Sequence, residues 1–207
     1  MTQFFAIHPD NPQPRLIRQA AAMLRDGAVI AYPTDSCYAL GCHLGDRAAV
    51  ERIRRLRGLD DNHYMTLMCR DLSELARYAR VDNAQFRLLK NNTPGSYTFI
   101  LEATREVPKR LQHPKRNSVG LRIPDHSVAL ALLQELGEPL LSSTLILPDE
   151  SQPLNDAEEI RDRIGGGVDL ILDGGPTGLE PTTVVDLTGA APVVVRRGRG
   201  DTAPFEA

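Results

Sequence analysis

Thr34, Asp35, Ser36, Cys37 and Tyr38 follow directly on the apolar run Val29-Ile-Ala-Tyr-Pro33. Hydroxyls, a carboxylate and a thiol in one short stretch could bind a polar ligand or serve as acid, base or nucleophile. Pro33 has no amide hydrogen and a fixed φ, so a buried strand must end or bulge there. The break would hold these groups at the mouth of a sheet, where ligands sit in open α/β folds. A polar strand-to-helix loop accounts for the same residues equally well on composition alone. Arg122 stands alone in the apolar Val119-Gly-Leu-Arg-Ile-Pro124 and points either to solvent or to a ligand. Cys37-x4-Cys42-His43 has the residue types of a zinc site, but no second Cys or His pair stands at ligand spacing. Three cysteines (Cys37, Cys42, Cys69) are an odd number, too few for a disulfide framework, and read as core thiols. The glycine-rich Asp173-Gly-Gly-Pro-Thr-Gly178 lacks the Gly-Lys-Ser/Thr of a Walker loop.

Cations gather in three segments: Arg47, Arg52, Arg54, Arg55 and Arg57; Arg105, Lys109, Arg110, Lys115, Arg116 and Arg122; and Arg196, Arg197 and Arg199. Brought together, they would offer ATP or RNA a positive surface; apart, they are solvated helix faces and loops. The net charge of −3 argues against a protein that coats nucleic acid nonspecifically.

The elements that must position these groups are read from periodicity. Phe4 to Ile7 reads as a short strand. Leu16, Ile17, Ala20, Ala21 and Leu24 recur at helical spacing, with Pro12 near the first turn and Gly27 as the stop. Asp46 is the expected N-cap of a helix with an apolar side of Ala49, Val50, Ile53 and Leu56. A polar connection over 58–64 leads to a strand over 65–69. Asp71-Leu-Ser-Glu74 fits a capping box, and Asp82 caps a further helix to about Asn91. Thr93-Pro94-Gly95 is a turn. Strands are expected over 97–101, 119–123, 140–147, 168–172, 183–187 and 193–197, with helices over 127–136 and from 155 to the Gly165–Gly167 stop. Residues 103–117 read as a basic surface connection. The expected architecture is a single α/β (α+β) domain over 1–207, a mixed sheet flanked by helices. No stretch reaches eighteen apolar residues, and the N-terminus lacks the features of a secretory signal, so no membrane contact and a cytoplasmic location are expected.

Pro33-Thr-Asp-Ser-Cys-Tyr-Ala-Leu-Gly41 resembles the Pro-Thr-Glu-Thr-x-Tyr-Gly-Leu-Gly signature of the YrdC-like (TsaC) family. Val119-Gly-Leu-Arg-Ile-Pro124, Pro181-Thr-Thr-Val-Val-Asp186 and Val194-Val-Arg-Arg-Gly198 match in the same order. His8-Pro-Asp-Asn-Pro12, Thr66-Leu-Met-Cys-Arg-Asp-Leu-Ser-Glu74 and Lys90-Asn-Asn-Thr-Pro-Gly95 resemble its YciO branch. The resemblance implies a twisted mixed sheet flanked by helices, with a positively charged concave surface. Family members make threonylcarbamoyl-AMP from threonine, bicarbonate and ATP, for transfer to adenosine 37 of tRNA, and double-stranded RNA binding has been ascribed to them. It further implies a threonine or threonylcarbamoyl site at Thr34, Asp35, Arg122 and Thr182, and nucleotide contacts at Arg57, Ser118, Thr144 and Arg196. ATP with Mg²⁺ would be a substrate, with no tightly bound cofactor and no resident metal. A tRNA or double-stranded RNA would meet Arg52, Arg54, Arg55, Lys109 and Arg110.

Two departures bear on activity. Synthases carry Lys-x-Arg where this chain reads Arg57-Gly-Leu59, and Ser-x-Asn where it reads Thr144-Leu-Ile146. Losing a cation or a polar group from a charged transition state costs on the order of 2–4 kcal/mol each. The expectation is therefore weak synthesis or the reverse, removal of the threonylcarbamoyl group. A non-catalytic RNA-binding protein is the alternative, and a different small acidic ligand a third.

Overall fold

Period-two alternation decides the layout. In Thr66-Leu-Met68, Thr98-Phe-Ile-Leu101, Gly120-Leu-Arg122 and Val184-Val-Asp186 the middle positions are apolar, while their neighbours are mostly small or polar. Alternate side chains of a strand face opposite sides of a sheet, so each strand has one core side and one available side. The computed structural model describes all residues except Asp61, Asn62, Tyr64 and Ala207. The first three of these belong to the polar connection expected over 58–64, and that part of it lies outside the described residues.

Among the described residues ten strands form one mixed sheet: β1 (Gln3–Ala6), β2 (Ile30–Tyr32), β3 (Ala39–His43), β4 (Thr66–Met68), β5 (Tyr97–Glu102), β6 (Ser118–Arg122), β7 (Leu140–Thr144), β8 (Leu170–Asp173), β9 (Thr183–Asp186) and β10 (Val193–Arg196). Their order is β1-β8-β2-β3-β7-β4-β6-β5-β9-β10. The pairs β1–β8, β2–β8, β4–β6 and β5–β9 are parallel, and the others antiparallel. Six α-helices accompany them: α1 (Pro14–Arg25), α2 (Arg47–Arg57), α3 (Leu72–Tyr78), α4 (Asn83–Asn92), α5 (Ser127–Leu136) and α6 (Ala157–Ile164). None of the described helices is long and apolar enough to cross a membrane.

The two faces of the sheet are covered unequally, and this makes the site. On one face Leu67, Phe99, Leu101, Val119, Leu121, Leu141 and Val185 pack under residues of α2, α3, α4 and α6, such as Ile53, Leu75, Leu89 and Ile160. Each such side chain contributes about 1.5–3 kcal/mol when fully buried. On the other face α1 and α5 cover Ile30, Tyr32, Ala39, Met68, Leu140, Leu170 and Leu172. Among the described residues, none from β5, β6, β9 or β10 joins that second cluster. Beyond α1 and α5, small and polar side chains are left facing outward.

Local chemistry explains the helix ends. Asp46 accepts the Ala49 amide at the start of α2, which stops at Gly58 with φ of 62°. Asp82 and Gln85 form a reciprocal capping box on α4. At α3 the expected box is only half made: Asp71 accepts the Glu74 amide, but Glu74 takes the Arg70 amide instead. A further departure lies at the signature stretch. It does not lead from strand to helix; Ala39–His43 returns antiparallel to β2 as a strand of its own. Pro33 does end β2.

Candidate functional site

A cavity of about 400 Å³ lies on the less covered face. Its floor is set by strand alternation: Thr66 and Met68 of β4, Thr98 and Ile100 of β5, Gly120 and Arg122 of β6, Ser142 and Thr144 of β7, Val184 and Asp186 of β9. Ala39 of β3, with Arg57, His63, Arg116, Ser143, Ile146, Thr182, Val195 and Arg196, completes the lining.

Arg57, in the last turn of α2, donates from Nε to Ser143 Oγ (3.1 Å) and from Nη1 to the Ile146 carbonyl (2.5 Å). Arg196 donates to the Thr182 carbonyl at 2.8 and 3.2 Å and to Thr182 Oγ1 at 3.3 Å. Neutral oxygens therefore hold both guanidiniums in place without cancelling their charge. Arg57 is half-buried and Arg196 exposed as a residue, but partial desolvation of each guanidinium lowers its pKa, and the charge of Arg196 lowers that of Arg57 further. Two cations lining one cavity, one feeling the charge of the other, favour an anion there.

A β-bulge delivers Arg196. Val194 lies opposite Val185 and Arg196 opposite Val184, so Val195 is the extra residue. A bulge sets two residues against one and re-aims side chains; here both Val195 and Arg196 line the cavity.

At the other end, Arg122 reaches up from β6. Only 6% exposed, it bonds the Asp35 carboxylate through Nη2 and Ser36 Oγ through Nη1 at 3.1 Å. Its Nε is buried with no partner. Asp35 also accepts from Ser96 Oγ at 2.8 Å. Thr182, 5% exposed, shares a hydrogen bond with Thr98 Oγ1 at 2.8 Å. A guanidinium with an unused edge beside two hydroxyls can take a carboxylate in addition to Asp35.

The residues singled out from the sequence are therefore divided. Arg57, Arg122, Thr144, Thr182 and Arg196 line one cavity. Asp35 stands behind Arg122. Thr34 is turned inward: its Oγ1 donates to the Cys37 carbonyl (2.6 Å) and accepts the Ser36 and Cys37 amides, shaping the turn. Ser118 is fully buried at the start of β6 and does not line the cavity. Of the RNA candidates, Arg52 is tied to Asp169 and to the Gly167 carbonyl, and Arg54 to the Asp60 carbonyl. Arg110 donates to the Leu44 carbonyl, which brings the second basic segment against the start of α2. Arg55 and Lys109 are exposed. All three cysteines are buried free thiols; burial raises their pKa values, that of Cys42 to about 12.

Sequence reasoning missed His63, Ser143 and Asp186 as lining residues, and named Arg116 only within the second basic segment. For Asp186, on the same side of β9 as Val184, the strand register was the available signal; Ser143 alternates to the side of Leu141, so register gave no signal for it. His63 and Arg116 stand in connections, where no period marks a facing side.

Comparison with known proteins bears on the family and the fold. The family model described as Sua5_yciO_yrdC, telomere recombination, matches residues 22–198. The chain belongs to this family. YciO of Escherichia coli (strain K12) is 60% identical over 205 residues, 99% of this chain and 100% of that protein. The crystal structure of E. coli YciO superposes with a TM-score of 0.97 over 100% of both chains, at 59% identity. The threonylcarbamoyl-AMP synthase of Mus musculus is 35% identical over 179 residues; they span 83% of this chain but 62% of the synthase. P. abyssi Sua5, crystallised in complex with L-threonine, gives a TM-score of 0.87 at 27% identity, covering 95% of this chain and 58% of that one. The α/β fold with one mixed sheet, expected from the sequence, is the fold of these relatives.

Proposed function

We propose that the cavity binds a threonylcarbamoyl-bearing ligand of tRNA threonylcarbamoyladenosine metabolism, and acts on it by weak threonylcarbamoyl-AMP synthesis or by the reverse, removal of the group. One observation carries the reading: a single cavity is lined by Arg122 and Thr182, whose chemistry suits a carboxylate, and by Arg57 and Arg196, whose charges suit a second negative centre. Threonine supplies the carboxylate; a nucleotide phosphate or the carbamoyl oxygen supplies the second negative centre. The threonine-bound Sua5 and the 35% identical synthase support this substrate class. Ile146 puts an apolar side chain in the cavity wall where the synthase motif has an amide, which weakens the nucleotide end. Magnesium would arrive as part of the ATP substrate, held by phosphate and water.

The test incubates the protein with tRNA carrying the modification and quantifies nucleosides by mass spectrometry, beside an assay of threonine-dependent pyrophosphate release. Loss of the modification, or pyrophosphate release, is expected. Neither signal, together with no calorimetric binding of threonine, overturns the reading. A second reading, RNA binding without chemistry, draws on Arg55 and Lys109, which are exposed and make no ion pair among the described residues. It expects tRNA binding that falls steeply with salt and ignores threonine.

A further inference from the structure

The reaction proposed above needs a group that accepts a proton near neutral pH. Of the described residues lining the cavity, His63 and Asp186 alone have the chemistry to do so. Asp186 is already engaged: its Oδ1 takes the Thr188 amide (2.8 Å) and Oγ1 (2.6 Å), and its Oδ2 lies 3.6 Å from Arg116. His63 is different. It follows α2, its amide bonds the Asp60 carbonyl at 3.3 Å, and its side chain lines the cavity beside Arg57.

We propose that His63 is the general base of this cavity, taking a proton from water as that water attacks the carbamoyl carbon of a threonylcarbamoyl group. The inference rests on the function proposed above. All these groups line one cavity: Arg122 and Thr182 for the threonine end, Arg196 bonded to Thr182, and Arg57 and His63, each of which feels the charge of Arg196. A ligand anchored at Arg122 brings its carbamoyl group between the arginines, with His63 alongside. As water adds, its oxygen bonds to the carbamoyl carbon, its proton passes to the imidazole, and the carbonyl π pair moves to the oxygen. The resulting oxyanion faces Arg57 and Arg196. When the pair returns, the bond from carbon to the adenine N6 breaks and the imidazolium gives its proton to N6. The products are unmodified adenosine and N-carboxythreonine, which loses carbon dioxide to give threonine.

The surroundings favour the neutral imidazole, the form a base requires. Arg54 and Arg57 on α2, Asp60 in the following turn and Arg196 on β10 are the charged groups that bear on it. His63 is exposed as a residue, yet partial desolvation of its ring where it lines the cavity, and then Arg57, lower its pKa against the opposing pull of Asp60.

The experiment follows removal of the threonylcarbamoyl group from modified tRNA by the wild-type protein and by His63→Gln, across pH. For the wild type the rate should rise with pH and level off above the imidazole pKa. For His63→Gln it should fall about 10²–10⁴-fold and lose that rise, while threonine affinity and thermal melting stay unchanged. Added imidazole should restore rate to His63→Ala, which a merely structural role would not allow. Wild-type rate and pH dependence retained in both variants overturn this inference and leave the function standing. A wild-type protein that binds the ligand but removes nothing overturns removal chemistry, and this inference with it.

Discussion

Replacing Asp35 by alanine should unbalance the deepest charge in the site. The Asp35 and Arg122 side chains are 11% and 7% exposed, so neither can turn to water when its partner is lost. Without Asp35, Arg122 keeps a single hydrogen bond, to Ser36, and its Nε already has none. Breaking one half of a buried ion pair costs about 3–5 kcal/mol. At about 2–4 °C per kcal/mol for a chain of this size, the melting temperature should drop by about 6–20 °C. Arg122→Met should cost a similar amount by stranding the carboxylate, which keeps Ser96 as a donor. The double variant removes both charges, so it should be more stable than the sum of the singles predicts, with a coupling of about 1–3 kcal/mol. Urea denaturation of the four proteins at constant slope measures this directly. Singles that add without coupling would refute the view that the two side chains neutralise one another. L-threonine should raise the midpoint of the wild type and of Asp35→Ala, but not of either protein lacking Arg122.

Further outcomes follow from other contacts. Arg57→Met and Arg196→Met should each weaken nucleotide binding, by about 1.5–3 kcal/mol for a lost charged hydrogen bond, as read by calorimetry; threonine binding should survive Arg57→Met. His126 accepts the Val128 amide at the start of α5, and burial lowers its pKa below the ordinary 6.5. The folded state then binds fewer protons than the unfolded state, so His126 favours folding above 6.5 and loses that contribution as pH falls toward its folded pKa. His126→Asn keeps a capping side chain and should flatten that part of the stability–pH curve. At Gly198 an added Cβ would lie 2.3 Å from the Pro181 carbonyl oxygen and 2.6 Å from backbone atoms of Thr182. Gly198→Ala should destabilise by about 1–3 kcal/mol and lower threonine affinity by shifting Thr182.

Much of the frame is legible in the chain. The 127–136 helix and its Gly137 stop are found where expected, because Leu132, Leu133 and Leu136 repeat on one face and Gly137 takes a φ of 75°. Alternation in 97–101 and 119–123 already separates the side that carries Arg122 from the side that carries Leu121. β3 escaped because Gly41 and Cys42 give little strand preference and follow directly on a polar stretch. Thr34 could not be judged, since its hydroxyl is consumed by amides two and three residues away, an outcome of turn geometry rather than residue type. The pairing of Arg57 with Ile146 joins residues 89 apart and depends on where α2 ends relative to β7. The bulge at Val195 is invisible in a run of three valines.

That bulge sits on β10, which has one hydrogen-bonded neighbour, β9, and carries Val193 and Val195 more than half exposed. Its counterpart Arg57 grows from α2, whose Ala49, Val50 and Ile53 are buried in the larger core. The two jaws that grip an anion thus differ in stiffness: one is anchored, and the other rides on the margin of the sheet, where amides open and exchange most readily. Capturing a ligand means stilling that margin, so part of the binding energy goes into lost motion of a single strand. Affinity could then be tuned by residues that never touch the ligand, through how firmly β10 is stitched to β9.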